Sequence, residues 1–187
     1  MTKRDVGGAR KHTEGSSSAR AVPSAADVPV TVRAASPQDL GTVVSLRLDL
    51  LREHSANPIY GRLRPDAREH AERLFAGQLA SAGEVTLLAH RGGTCVGILR
   101  CIHAPGSPLL YPSHYGYVSS VYVVPKARRG GVLRALLAAA EQWCESRGLT
   151  EIRLHNVPEA EASAAAWQAL GFEIVEHLRV RHLPARS

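Results

Sequence analysis

Residues 117–144 read YVSSVYVVPKARRGGVLRALLAAAEQWC, and this stretch decides the fold of the chain. Its first part, residues 118–124, is rich in β-branched and aromatic side chains and predicts a strand. Pro125 ends that strand because proline has no N–H to give to a sheet. From Val132 onward apolar side chains recur at helical spacing and predict a helix with one buried face. That face consists of Leu133, Leu136, Leu137, Ala140 and Cys144.

The loop between this strand and this helix carries two glycines and two arginines in a row. The first N–H groups of a helix have no intrahelical partner, and the helix dipole places about half a positive charge there. Gly130 and Gly131 let a phosphate approach the backbone closely, while Arg128 and Arg129 add positive charge. The pattern favours an anion site, and a tight turn with a solvated surface is the alternative. We call residues 128–133 the anion loop.

Two segments of the chain resemble the GNAT superfamily of N-acetyltransferases. Residues 121–137, VYVVPxxRxxGVxxxLL, resemble its acetyl-CoA signature, and residues 167–172, WQALGF, resemble its Tyr-x-x-x-Gly-Phe segment. The resemblance extends over residues 30–183. Two positions depart from the family pattern: Leu133 stands where a glycine or alanine is usual, and Trp167 replaces a tyrosine that often serves as general acid.

The resemblance implies an α/β (α+β) fold, a mixed and strongly twisted central sheet with helices on both faces and two splayed parallel strands. The splayed strands would be residues 118–124 and 151–155. The remaining pattern agrees with this topology, because strand-like and helix-like segments follow in the family's order. Further strands are predicted at residues 28–34, 84–90 and 94–104, with extended segments at 172–177 and 179–183. Helices are predicted from Pro37, with Ser36 as N-cap, to about Leu51, over 65–82, from Val132 onward and over 161–170.

The resemblance also implies acetyl-CoA as cosubstrate, without a metal. The pantetheine arm would lie in the gap between the splayed strands, against backbone groups near Val121, Tyr122 and Val123. Trp167 would pack beneath the acetyl arm. The pyrophosphate would be bound by N–H groups of the anion loop, that is by Arg128, Arg129, Gly130, Gly131, Val132 and Leu133.

The implied reaction is transfer of the acetyl group to a primary amine of a small molecule or peptide, by direct attack in a ternary complex. The position of the family's usual base is occupied by Tyr117, and a phenol with a pKa of about 10 is a poor base near neutrality. The indole of Trp167 donates only weakly. Tyr117 and His155 are the substitute candidates, although a histidine at a strand end is also commonly a plain surface residue. A catalytically silent acetyl-CoA-binding sensor or structural module is the alternative function.

The sequence does not identify the acceptor amine. The walls of its site would come from residues 53–64, 104–114 and the last strands. The first of these segments and the residue before it contain three arginines, Arg52, Arg62 and Arg64, but only one carboxylate, Glu53. This balance favours an acceptor that carries a carboxylate or phosphate over a polycation.

Composition places limits on the other classes of function. The 187 residues suit one domain, predicted over residues 28–187, and residues 1–27 read as a disordered tail. No apolar run reaches the length of a membrane span. The net charge of +6 suits an anionic ligand or nucleic acid, but no nucleic-acid motif is found. Cys95 and Cys101 lie roughly 20 Å apart along one strand, too far to bridge, which indicates reduced cysteines and a cytoplasmic protein. A homodimer is compatible with the sequence.

Overall fold

The computed structural model describes residues 28–157 and 161–183. Within them, five strands form one sheet in the order in which they occur along the chain. The strands are β1 (Val30–Ala34), β2 (Glu84–Arg91), β3 (Thr94–Pro105), β4 (His114–Val123) and β5 (Ile152–Leu154). The first four pair antiparallel, and β5 pairs parallel to β4. The sheet is therefore mixed, as predicted.

Four helices cover the two faces of this sheet: α1 (Leu40–Glu53), α2 (Ala67–Leu79), α3 (Val132–Glu145) and α4 (Glu161–Ala169). The buried residues form two clusters, one on each face. Val43, Val44 and Phe75 of α1 and α2 pack against Leu88 and Ile98 of the sheet in one cluster. In the other, Val132, Leu136 and Ala140 of α3 and Trp167 of α4 lie over the opposite face. The prediction of helices on both faces is confirmed.

Two glycines let α3 lie close to the sheet. A Cβ atom on Gly97 of β3 would lie 3.0 Å from Val132 Cγ1 and 3.2 Å from Leu136 Cδ1. A Cβ atom on Gly116 of β4 would lie 2.5 Å from the sulfur of Cys144. A side chain at either position would push the helix outward, so Gly97 sets the distance of the N-terminal part of α3 from the sheet and Gly116 that of its C-terminal end.

The two parallel strands diverge after a short paired segment. Pairing between β4 and β5 runs only from Gly116↔Ile152 to Val118↔Leu154, whereas β4 continues to Val123. Just beyond the paired segment β4 carries a bulge, because Ser119 and Tyr122 pair with Arg100 and Ile98 and leave one extra residue on β4. Ser120 takes a positive φ of 53° there. The predicted splay of the two strands is confirmed, and the bulge was not predicted.

The predicted extended segments 172–177 and 179–183 do not form strands. Their apolar side chains are exposed instead, including Ile174 at 74% and Val175 at 87%. A strand exists through hydrogen bonds to a neighbouring strand, which an apolar pattern alone cannot supply. The outermost strand, β5, has only three residues, so it offers few backbone groups with which these segments could pair. Other predicted boundaries shift by a few residues, with β4 beginning at His114 and α2 at Ala67.

Three further predictions concern the chain as a whole. The cysteines are free, and the sulfur atoms of Cys101 and Cys144 lie 3.6 Å apart in the core. In the part of the chain described by the structure, none of the helices is both long and apolar enough to cross a membrane. The predicted tail, residues 1–27, lies outside the described residues.

Candidate active site

The anion loop presents free backbone donors at the start of α3. Arg129 and Gly131 take left-handed φ values of 62° and 78°, and the helix begins at Val132. Among the described residues, the N–H groups of residues 129–134 find no hydrogen-bond acceptor, whereas that of Arg128 bonds to Pro125 O. A Cβ atom on Gly131 would meet no atom within 4 Å, so the space in front of this turn is open. An anion can approach these donors directly.

The side chain of Arg128 turns away from these donors. Its Nε donates to Val123 O at 3.0 Å, and its Nη2 donates to both carboxylate oxygens of Glu53 at 2.8 and 2.6 Å. The guanidinium also lies 5.8 Å from the ring centroid of Tyr122. Arg128 therefore ties the end of α1 to the end of β4, and Glu53 already balances its charge.

A different arginine supports the loop. Arg91, the last residue of β2, donates from Nη2 to Gly130 O at 2.5 Å. In a trans peptide the N–H points opposite to the C=O, so this bond directs the N–H of Gly131 away from Arg91. The sequence analysis missed Arg91 because Arg91-Gly92-Gly93 reads locally as a hairpin turn. No local signal connects it to a loop 39 positions away.

The divergent part of β4 offers a second set of backbone groups. Beyond Val118, no strand pairs with β4 on the side of β5 in the described residues. The side chains of Val121 and Val123 pack toward α3, and Tyr122 is buried on the side of α1 and α2. Burial raises the pKa of the Tyr122 phenol. The side chains hold the strand in place, and its free edge remains open to an extended ligand.

The two candidate catalytic side chains meet at the point of divergence. Tyr117 Oη lies 2.9 Å from His155 Nδ1, and the rings are edge to face with centroids 5.7 Å apart. Parallel pairing of Tyr117 with Arg153 explains the contact, because His155 lies two residues further on the same face. Burial, the largest cause, raises the pKa of Tyr117, so the phenol stays neutral over the physiological range. Such a pair can hold a proton and pass it on.

Trp167 and Leu133 both belong to the core beneath the site. Trp167 is 7% exposed, and its ring lies edge to face with Phe172 at 5.3 Å. Gly171 takes a φ of 87°, and the N–H of Phe172 reaches Trp167 O at 3.1 Å, which closes α4 and turns Phe172 onto the indole. Leu133 is half-buried and packs against the same cluster. Its bulk is therefore accommodated by the core.

The surface also carries an open cleft of about 670 Å³. The cleft lies between the segment joining α1 to α2 and the C-terminal residues 181–183. Its lining contains Arg62, Arg181 and His182 and has no carboxylate. The segment between α1 and α2 was predicted to form a wall of the acceptor site.

Comparison with known proteins agrees with this arrangement. Residues 48–172 match the model of the Acetyltransferase (GNAT) family. The aminoglycoside N(6')-acetyltransferase type 1 of Klebsiella aerogenes is 30% identical over 153 residues, 82% of this chain and 95% of the relative. An acetyltransferase of Clostridium acetobutylicum, itself assigned by prediction and solved with acetyl-CoA, has a TM-score of 0.68 at 20% identity, covering 82% and 96% of the two chains.

A second solved structure is AAC(6')-Iy in complex with the bisubstrate analogue CoA-S-monomethyl-acetylneamine. It has a TM-score of 0.66 at 21% identity, covering 84% of this chain and 99% of that one. At this level of identity the likeness to the two solved structures establishes the fold, a five-stranded sheet whose parallel strands diverge at one end.

Proposed function

Since the chain belongs to the Acetyltransferase (GNAT) family, we propose that it acetylates a primary amine at the point where β4 and β5 diverge. The chain is an acetyl-CoA-dependent N-acetyltransferase, because the curated relatives of the chain are named as acetyltransferases. The alternative of a catalytically silent sensor is therefore rejected. The observation that carries the proposed site is the hydrogen bond between Tyr117 and His155, which places a proton-accepting side chain where the parallel strands separate.

Acetyl-CoA would bind mainly to backbone groups. The free N–H groups of the anion loop suit the pyrophosphate, and the open space in front of Gly131 leaves room for it. The free edge of β4 at Val121, Tyr122 and Val123 suits the pantetheine arm, which can pair like an added strand. Trp167 supports this side of the site from the core. Of the loop residues, Arg129, Gly130, Val132 and Leu133 contribute through their N–H groups, while Arg128 contributes through its contacts with β4 and α1.

Acetyl transfer requires a neutral amine, and the Tyr117–His155 pair can supply the proton acceptor. We assign His155 Nε2 to take the proton as the amine nitrogen forms its bond to the carbonyl carbon and the carbon–sulfur bond breaks. His155 Nδ1–H would then donate to Tyr117 Oη, which orients the ring. The raised pKa of Tyr117 keeps it from competing as a base. The leaving thiolate takes its proton from solvent. Acetyl-CoA supplies the activated acyl group, and the chain supplies orientation and proton transfer.

The acceptor is an amine of a small molecule or peptide, and aminoglycosides are one candidate class, to be tested against other amines. The curated relative of Klebsiella aerogenes carries that acceptor in its name. Which of these amines is acetylated depends on the side chains of the acceptor side of the site. Homodimerisation remains a prediction.

Replacing His155 tests the proposed site. His155→Gln should lower kcat about a hundredfold, the usual contribution of a positioned base, with acetyl-CoA affinity unchanged. Tyr117→Phe should lower kcat by about threefold to tenfold, because it removes only the group that orients the ring. The rate is measured as CoA thiol release against a panel of primary amines, and affinity by calorimetry.

Two controls make the result specific. His70→Gln replaces another exposed histidine, on α2, and should leave the rate unchanged. Added imidazole should restore part of the rate to a His155→Ala variant, which a merely structural role would not allow. A His155→Gln enzyme with full kcat would refute the assignment.

A further inference from the structure

Arg47 differs from the other arginines around the acceptor side of the site. It is half-buried on α1, beside a narrow space that is too small for a water molecule and is also lined by Phe75, Arg100 and Ser120. Burial lowers the pKa of its guanidinium, which nevertheless stays charged as arginine does in proteins. In the structure described, no carboxylate lies within ion-pair distance of it.

Three arginines of the sheet and of the anion loop have carboxylate partners. Arg100 pairs with Glu84, Arg128 with Glu53, and Arg153 with Glu151. A half-buried charge without a partner is costly, because it has lost part of its hydration without a compensating interaction. Arg47 therefore lacks the anionic partner that Arg100, the arginine that acts on it, has.

A second buried donor on the same face also lacks a partner. The hydroxyl oxygen of Ser119 is buried and forms no hydrogen bond with the described residues. Ser119 pairs across the sheet with Arg100, which places its side chain on the α1 face with Arg47. Buried hydroxyls are almost always hydrogen-bonded. Two unmatched donors beside the Tyr117–His155 pair indicate a missing group that accepts hydrogen bonds.

The surroundings carry little negative charge to satisfy a polycation. Tyr60 and Tyr117 are the other titratable groups that act on Arg47, together with the paired Arg100. A polycationic acceptor would place like charges together, whereas an anionic group would be attracted.

We propose that the acceptor of this enzyme carries a carboxylate or phosphate besides its amine, and that Arg47 binds this anion with help from the hydroxyl of Ser119. The proposal rests on the proposed function, since it names the substrate class of that same site. An arginine can bind either oxyanion through two parallel N–H donors. The anion bound at Arg47 would orient the amine toward His155.

Matched pairs of amines test the proposal on the full chain. The probes are O-phosphoethanolamine with ethanolamine, γ-aminobutyrate with its amide, and neamine as polycation. In at least one pair the anionic member should have a kcat/KM at least tenfold above its neutral partner and above neamine. Arg47→Gln should reduce that ratio to below twofold by raising KM. Arg47→Lys should retain part of the preference, because it keeps the charge.

Controls separate recognition from folding. Arg68→Gln changes an exposed arginine of α2 that is paired with Glu72, and should leave the preference intact. Acetyl-CoA affinity should stay within twofold in every variant. If Arg47→Gln does not fold, Arg47→Lys and Ser119→Ala decide, and Ser119→Ala should lower kcat/KM for the anionic probe about threefold.

The outcomes distinguish the inference from the function on which it rests. Transfer to neutral amines or neamine at equal or higher kcat/KM, or a preference unchanged by Arg47→Gln, would overturn the anion-binding role alone. An enzyme that binds acetyl-CoA tightly but acetylates none of the probes or other amines would overturn the proposed function, and this inference with it.

Discussion

The cofactor side of the proposed site is formed by backbone groups, whereas its acceptor side is formed by side chains. The cofactor side consists of backbone: free N–H groups before α3 and the open edge of β4. The proposed acceptor side consists of side chains from α1, from β4 and from the residue that follows β5, namely Arg47, Tyr117, Ser119 and His155. Backbone groups serve the same ligand whatever the side chains are, provided that the chain can take the required shape. Side chains differ in charge and in hydrogen-bonding groups, so the side chains of the acceptor side determine which acceptor is bound.

The supports of the two sides differ accordingly. The cofactor side depends on glycines at Gly97, Gly116 and Gly131 and on the bond from Arg91 to Gly130 O, all of which set backbone position. The acceptor side depends on polar contacts such as that between Tyr117 and His155. Substitutions should therefore act on the cofactor side through shape and on the acceptor side through charge and hydrogen bonding.

The largest expected effect tests whether the cofactor side needs a side chain for chemistry. Trp167→Ala should lower the free energy of unfolding by roughly 3 kcal/mol or more, because it removes a buried ring that packs on Phe172. Trp167→Phe should keep most of the turnover rate, since only packing is required of the ring. Denaturant unfolding and acetyl transfer rates measure the two effects. Loss of turnover in Trp167→Phe with intact acetyl-CoA binding would mean that the indole N–H acts in catalysis.

An intermediate effect tests shape in the anion loop. Gly131→Val should weaken acetyl-CoA binding at least tenfold, about 1.4 kcal/mol, because valine at a φ of 78° distorts the turn and its side chain fills the open space. Gly93→Val is the matched control. Gly93 has a φ of 79° with open space around it but lies in the β2–β3 hairpin. Calorimetry on folded variants should show a loss for Gly131→Val alone, and equal losses in both would argue against the assignment of the loop.

The smallest expected effect concerns a side chain in the same loop. Arg128→Ala should change acetyl-CoA affinity less than threefold, since its guanidinium is bound to Glu53 and Val123 O. The Arg128–Glu53 pair is partly exposed, at 41% and 39%, so a double-mutant cycle should give a coupling of about 1 kcal/mol or less in stability. A tenfold loss of affinity would show that the charge of Arg128 reaches the cofactor, and the contrast between the two sides would weaken.

Much of the cofactor side could be predicted from local sequence. The β-branched run before Pro125, the paired glycines and the helical period after Val132 are neighbours along the chain, and the structure places them as β4, the anion loop and α3. The acceptor side could be predicted only in part. Tyr117 and His155 were singled out separately, but their contact spans 38 positions and depends on the parallel register of β4 and β5.

Other features lay outside the reach of local reasoning. Arg91 reads as a hairpin residue and Arg47 as one more polar position on an amphipathic helix. Residues 172–183 read as strands, yet strand formation depends on a pairing partner that lies elsewhere in the chain. The orientation of Arg128 toward Glu53 likewise follows from the packing of α1 beside β4.

The sequence by itself determined the order of elements, the family resemblance and the position of the backbone donors, because turns, strand ends and helix starts are set by neighbouring residues. Only the tertiary structure decided which side chains meet: Arg91 with Gly130, Arg128 with Glu53, and Tyr117 with His155. Only the tertiary structure also showed that Arg47 and Ser119 lack partners among the described residues. Pairing of charges and hydrogen bonds depends on distances between segments far apart in the chain, and these distances exist only after the sheet and helices have packed.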